Sequence, residues 1–111
     1  MAVSRGDIIL VVAPGDFGKP RPGVVVQADE LGDDTTTVLI CPMSSEIAAT
    51  PKLRPIIDPT AANGLRIRSQ IMTDKVTALR RDRIRRVVGR LDAAVLDELD
   101  RALLIVLGLA R

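Results

Sequence analysis

Only one stretch of this chain, from Asp92 to Leu107, carries a sustained helical period; everything before it is cut by proline and glycine into short β-branched runs. Strands first and one helix last is the constraint that most limits what the chain can fold into. Asp92 is a good N-cap, and Leu96, Leu99, Leu103, Val106 and Leu107 follow at helical spacing. Asp97, Glu98 and Asp100 take the other face, and Gly108 supplies a stop. The last turn, Leu103 to Leu107, is apolar nearly all round, which calls for deep burial or a self-association surface.

The runs before the helix read as strands. Asp7–Val12 is a buried strand followed by a loop, Pro14–Pro22, whose prolines order it without letting it pair. Gly23–Ala28 is the second strand and Thr36–Cys41 the third, with a polar turn, Asp29–Asp34, between them and Pro42 as the stop. A loop from Ser44 to Pro51 leads to a fourth strand, Lys52–Ile57, closed by the turn-rich Asp58–Gly64. Leu65–Thr73 alternates basic and apolar residues, as a strand with one wet face would. Arg83–Leu91 fits strand or helix, and its Val87-Val88-Gly89 centre favours strand. The expected fold is mainly β with a C-terminal helix (α+β): one domain over residues 1–111, a small, strongly bent antiparallel sheet with one helix packed on it. A chain of 111 residues buries roughly two-thirds of its unfolded surface.

Composition narrows the chemistry. There is no His, Trp or Tyr, and Phe17 is the sole aromatic. That excludes a His-based relay, a His metal ligand and a reader that stacks bases on an aromatic row. Proton transfers fall to Asp, Glu, Lys, Arg, Ser or Thr. Cys41 stands alone in an apolar run, so no disulfide or CxxC metal pair is available and the thiol reads as a small buried hydrophobe. No signal-like segment is visible. The longest apolar stretch, Ala102–Ala110, is far short of the ~18 residues that span a bilayer, and a cytoplasmic location is expected.

The net charge of +2 conceals an asymmetry: residues 1–50 sum to −4, residues 51–90 to +8 and residues 91–111 to −2. Ten of the sixteen basic residues lie between positions 54 and 90, and nine of those are arginines. Arginine pairs bidentately with phosphate, so the cluster points to a polyanionic partner, nucleic acid or an acidic protein.

Four segments carry a family signature: Arg5-Gly6-Asp7-Ile8, then Lys19-Pro20-Arg21-Pro22-Gly23-Val24-Val25-Val26, then Cys41-Pro42-Met43-Ser44-Ser45, then Ser69-Gln70-Ile71-Met72-Thr73-Asp74-Lys75. In this order and spacing, from Arg5 to about Leu107, the chain resembles the MazF/PemK family of toxin–antitoxin toxins. The resemblance implies an SH3-like barrel that forms a homodimer. It implies sequence-specific, metal-independent cleavage of single-stranded RNA, usually mRNA, without a cofactor. The ribose 2′-hydroxyl would attack the phosphate and leave a 2′,3′-cyclic phosphate and a 5′-hydroxyl. The implied partner is an acidic antitoxin whose C-terminal segment blocks the RNA groove.

By the same resemblance Arg21 and Ser44 are the catalytic candidates. Arg21 sits between two prolines at a strand entrance; its guanidinium suits electrostatic stabilisation of phosphate, because its high pKa keeps it protonated. The Ser44 hydroxyl either donates to a phosphate oxygen or closes an ST-turn on its own loop. Lys19, Ser45, Arg66, Arg68, Gln70 and Lys75 are the RNA-binding candidates, with Ser45 able to substitute for Ser44 if the register is one off. Asp74-Lys75 reads as a structural ion pair. Many relatives carry an acidic residue before the Gln and an Arg two after it; here those places hold Ser69 and Met72, and the His that some relatives carry in the first loop is missing. Base preference is expected in the loops Pro14–Pro20 and Glu46–Pro51. Two other readings compete: a non-enzymatic toxin similar to CcdB that binds DNA gyrase, and a plain SH3-like nucleic-acid-binding module.

Overall fold

The computed structural model describes residues 2–12, 14–15, 17–49 and 53–110. Strands β1 (Asp7–Val11), β2 (Arg21–Val25), β3 (Thr37–Ser44), β4 (Ile56–Ile57), β5 (Ser69–Ile71), β6 (Thr77–Arg80) and β7 (Ile84–Arg90) precede helix α1 (Ala93–Val106). All pairings are antiparallel, in the order β4-β5-β3-β2-β1-β7, with β6 also paired to β3. The sheet curls into a half-barrel because β3 belongs to both of its ends. Thr37–Ile40 pairs with β6, whereas Met43 and Ser44 pair with Ile71 and Gln70 of β5.

β1 lies between β2 and β7 with both faces covered. Ile8 joins Val24, Cys41 and Ile71 under Leu99 and Leu103 of α1, and Ile9 joins Val25, Val38, Ile40, Leu79 and Ile84 inside the curl. A strand buried on two faces is a continuous apolar run rather than an alternation, which is how Asp7–Val12 reads. The helix forms as expected: the Val95 N–H donates to Asp92 Oδ1 at 2.9 Å, and Gly108 follows in the left-handed region at φ 74°. The Arg5-Gly6-Asp7 opening is a tie between distant segments. Arg5 donates to the Val26 carbonyl and pairs with Asp100 of α1 at 2.7 Å, and Asp7 pairs with Arg90 at 2.8 Å. Cys41 is fully buried, and desolvation pushes its thiol up to about 12.

Several sequence expectations are corrected. Pro42 does not end the third strand, which runs on to Ser44. Proline is tolerated there because β3 changes partner at that point, from β6 at Ile40 to β5 at Met43. The Pro42 carbonyl still accepts from the Met72 N–H at 2.8 Å. The second strand begins at Arg21 and stops at Val25. Of the expected strand Leu65–Thr73 only Ser69–Ile71 pairs. The chain leaves the preceding turn still held by Asn63, whose buried Oδ1 accepts from both Thr60 and Leu65. The expected fourth strand contracts to Ile56–Ile57, and its proposed start at Lys52 lies outside the described residues. β6 is new: only Leu79 of its four residues is buried, too little to show as a pattern.

A polar brace ties β5 to the loop after β3. Gln70 is fully buried; its Oε1 accepts from the Ala48 N–H at 3.1 Å and from Arg54 Nη1 at 3.0 Å, while its Nε2 donates to the Ala48 carbonyl at 3.2 Å. Arg54 also grips Asp74 bidentately, at 2.9 and 3.0 Å. Asp74 therefore pairs with Arg54 rather than with its neighbour Lys75. The Arg54 hydrogen bonds hold the Asp74 carboxyl below the usual carboxylate range.

A lowered folded-state pKa contributes stability that is full above about pH 4 and is lost as pH falls through the folded value. Asp74→Asn is expected to cost about 1 kcal/mol at pH 7, discounted for the exposure of the pair, and the gap to wild type closes toward pH 3. Urea denaturation of both proteins at the two pH values checks this. The turn before β5 is tested by glycine. A Cβ at Gly64 (φ 67°) would lie 2.2 Å from the Val88 carbonyl oxygen, and one at Gly89 would lie 2.2 Å from the Asn63 backbone. Gly64→Ala and Gly89→Ala should each destabilise by about 2 kcal/mol or more in the same assay.

Candidate active site

The groove that gathers the signature residues opens where a backbone ladder stops. β2 and β3 pair over Gly23–Val25 and Ile40–Pro42 only. Beyond that point lie Pro22 and Arg21 on one strand and Met43 and Ser44 on the other. Pro22, next in the register opposite Met43, has no N–H to extend the ladder, and the gap is a groove of about 480 Å³. Val11, Ile40, Met43, Ile67, Met72 and Leu79 make its apolar wall, and its polar groups are Arg21, Ser44, Ser45, Glu46, Ser69 and Thr77. A mostly apolar cleft of this size with a few convergent polar groups is the usual form of a ligand site.

Three of the eight residues expected from sequence line this groove: Arg21, Ser44 and Ser45. Arg21 is the first residue of β2, opposite Val11 of β1, and is exposed. Ser44 ends β3, and its Oγ accepts from the Glu46 N–H at 3.1 Å. The ST-turn is thus made, yet it uses only an acceptor lone pair, so the hydroxyl proton remains free to donate. Ser45 is exposed beside it.

The other five lie elsewhere. Gln70, expected among the RNA contacts, is fully buried and its amide is spent on Ala48 and Arg54, so it acts by holding the loop that follows Ser45. Arg68 pairs with Asp58 at 3.3 Å on an exposed surface. Lys75 sits on the short 3₁₀ turn Thr73–Lys75 and Lys19 in the loop before β2, both exposed and outside the groove. Arg66 lines a neighbouring cleft. Of the loops expected to set base preference, Glu46 reaches the groove and Pro20 the neighbouring cleft; Ala13, Asp16, Thr50 and Pro51 lie outside the described residues.

Sequence reasoning missed Glu46, the carboxylate among the groove-lining residues, and Thr77 of β6. Glu46 directly follows the Ser44-Ser45 pair, which was a usable signal; Thr77 came from an unrecognised strand. Ser69 and Met72, the two departures from the family pattern, both stand in the groove wall. Ser69 is buried and its hydroxyl donates to the Ile67 carbonyl at 2.9 Å, so it holds the wall in place. Among the described residues no group of three or more His, Cys, Asp or Glu comes together, and no helix is long and apolar enough to cross a membrane.

Comparison with known proteins supports the signature. Residues 4–107 match the family model described as the PemK-like, MazF-like toxin of type II toxin–antitoxin systems. A protein named probable endoribonuclease MazF, from Mycolicibacterium smegmatis, is 42% identical over 107 residues, covering 96% of this chain and 97% of the relative. Among solved structures, an endoribonuclease in complex with its cognate antitoxin, from a mycobacterial species, superposes with a TM-score of 0.83 at 18% identity, covering 99% of each chain. A MazE–MazF structure from Deinococcus radiodurans gives 0.79 at 19% identity, over 99% of this chain and all of that one. The half-barrel with its terminal helix is their fold. With the family model spanning nearly the whole chain and a close relative matching end to end, the chain belongs to the PemK-like, MazF-like toxin family of type II toxin–antitoxin systems.

Proposed function

We propose that the protein is an endoribonuclease that cuts single-stranded RNA, mRNA in the cell, at the groove between β2 and β3, without a metal ion. The observation that carries this reading is the meeting of Arg21, Ser44, Ser45 and Glu46 in one cleft. The name of the Mycolicibacterium relative supports it. The attacking group is the substrate's own 2′-hydroxyl, which is why a chain without histidine suffices. Glu46, the carboxylate of the groove, takes the proton from that hydroxyl as the oxygen–phosphorus bond forms. Arg21 faces the charge that grows on the phosphoryl oxygens, and the free Ser44 proton adds a hydrogen bond to one of them. The bond from phosphorus to the 5′-oxygen breaks, and that oxygen takes a proton from solvent, giving a 2′,3′-cyclic phosphate and a 5′-hydroxyl. The apolar walls keep water from competing for these donors.

An antitoxin partner fits the mycobacterial neighbour, which was solved in complex with its cognate antitoxin. An acidic segment of such a partner would compete with RNA for Arg21. Self-association fits the end of α1, where Leu104, Ile105, Leu107 and Leu109 are 45–59% exposed.

Incubation of the purified protein with a long RNA and a chelator is expected to give discrete fragments on a denaturing gel. Arg21→Ala should cut at least about 100-fold more slowly. Glu46→Gln should lose about 100-fold in kcat and Ser44→Ala about 10-fold. RNA left intact by wild type, or full activity in Arg21→Ala, would overturn the reading. For the dimer, sedimentation at micromolar concentration should give about twice the chain mass of 11.9 kDa, and Leu104→Glu/Leu107→Glu should give monomer.

A further inference from the structure

A second cleft adjoins the groove. It has a volume of about 360 Å³, and Pro22, Ile67 and Ser69 form a wall common to both. The strand register builds its floor: Leu10 of β1 lies opposite Pro22 of β2 on one side and Arg86 of β7 on the other, so the three side chains form a row across the sheet. Leu65, Val88 and Pro20 complete an apolar lining, and Arg66 and Arg86 bring the charge. Most neighbouring arginines are already engaged: Arg54 with Asp74, Arg68 with Asp58, Arg80 with Asp82, Arg90 with Asp7. Among the described residues, Arg66 and Arg86 have no ion pair and no side-chain hydrogen bond. Both are exposed, and no carboxylate lines the cleft to neutralise them. Ile67, 60% exposed, stands between the two clefts.

Two unengaged guanidinium groups beside an apolar cleft of nucleotide size suit a group that is anionic at one end and flat and apolar at the other. Resting on the ribonuclease reading of the neighbouring groove, we infer that this cleft seats the nucleotide next to the scissile phosphate, its base on Leu65, Ile67 and Val88 and its phosphate on Arg66 and Arg86. The substrate strand then runs from the groove over the Pro22–Ile67 wall, along a line set by backbone register rather than by a mobile loop. Arg86 becomes a binding residue that no sequence motif marks.

A binding measurement that needs no cleavage tests this apart from the enzymatic reading. The probe is a fluorescein-labelled single-stranded oligodeoxynucleotide of mixed sequence, which has no 2′-hydroxyl, titrated by anisotropy at several salt concentrations. Arg66→Gln/Arg86→Gln is expected to bind about 10-fold more weakly, with the log–log salt slope reduced by about 0.7 to 1.4, the value for one or two phosphates on a single strand. A charge-matched control, Arg85→Gln/Arg101→Gln, removes two positive charges outside both clefts and should change affinity less than about threefold. Ile67→Ala should weaken the base-bearing probe several-fold more than an abasic strand of the same length. A salt slope equal to that of wild type, or a loss no greater than in the control, would overturn the inference. If wild type binds with the expected pattern but never cuts RNA, the nucleotide seat stands and the catalytic reading falls.

Discussion

The architecture turns on two prolines near the end of one ladder: Pro22 stops it, and Pro42 marks the place where β3 changes partner. Pro42 is paired with Gly23 in the last pair of the β2–β3 ladder, and Pro22 is the next residue beyond it. A residue with an N–H at position 22 could carry the ladder on to Met43, whereas the Pro42 backbone faces the other side, its carbonyl accepting from the Met72 N–H. Because Pro22 cannot, the strands part, and Arg21, Ser44 and Ser45 line the opening at their ends. The same Pro42 lets β3 exchange β6 for β5, which is what curls the sheet. One side-chain type at two positions thus accounts for both the bend of the half-barrel and the place of its groove.

The arginine-rich middle of the chain is better understood as two populations. Arg54, Arg80, Arg81 and Arg90 hold the molecule together through Asp74, Asp82, the Gly32–Thr35 turn and Asp7. Apart from Arg80 with Asp82, two residues on, these are ties between segments distant in sequence, a role for which a planar fork with several donors is better suited than a lysine ammonium. Arg66, Arg83 and Arg86 are left over. A net +8 over residues 51–90 therefore overstates the charge available to a partner. The useful part is concentrated around the 66–69 wall, next to the groove, where it adds to Arg21.

What could be read from the sequence was what local chemistry decides. The Asp92 cap, the apolar face through Leu99 and Leu103 and the two-faced burial of Ile8 and Ile9 depend on neighbours within a few positions. Arg21 and the Ser44-Ser45 pair were found because the signature motifs hold them. The misses depend on contacts made far along the chain. Gln70 meets Arg54 and Ala48, sixteen and twenty-two residues away, so nothing near it in sequence shows that its amide is buried and used. Pro42 was read as a terminator because the rule for proline assumes one partner strand throughout, and β3 has two in succession. The alternation at Arg66–Arg68 resembled a strand, yet the Asn63-held turn keeps that stretch folded over β7 as the ridge between two clefts.

The absence of histidine changes meaning against this geometry. A nuclease that must deliver its own nucleophile needs a base near pH 7 and a means of holding water in line. One that uses the 2′-hydroxyl needs neither an activated water nor a buried metal, only a proton acceptor and charge opposite the phosphate. The groove offers one carboxylate, one arginine and small hydroxyls, and most of its remaining wall is aliphatic. Ser69 and Met72 add no charge to the groove wall, so in the proposed reaction the electrostatic work falls on residues outside β5. In the proposed reaction Arg21 acts from β2 and Glu46 from the loop that Gln70 and Arg54 pin through Ala48. The proposed catalysis then depends on the stiffness of that loop as much as on the groups it carries, because a carboxylate displaced by even about an ångström loses most of its advantage as a base.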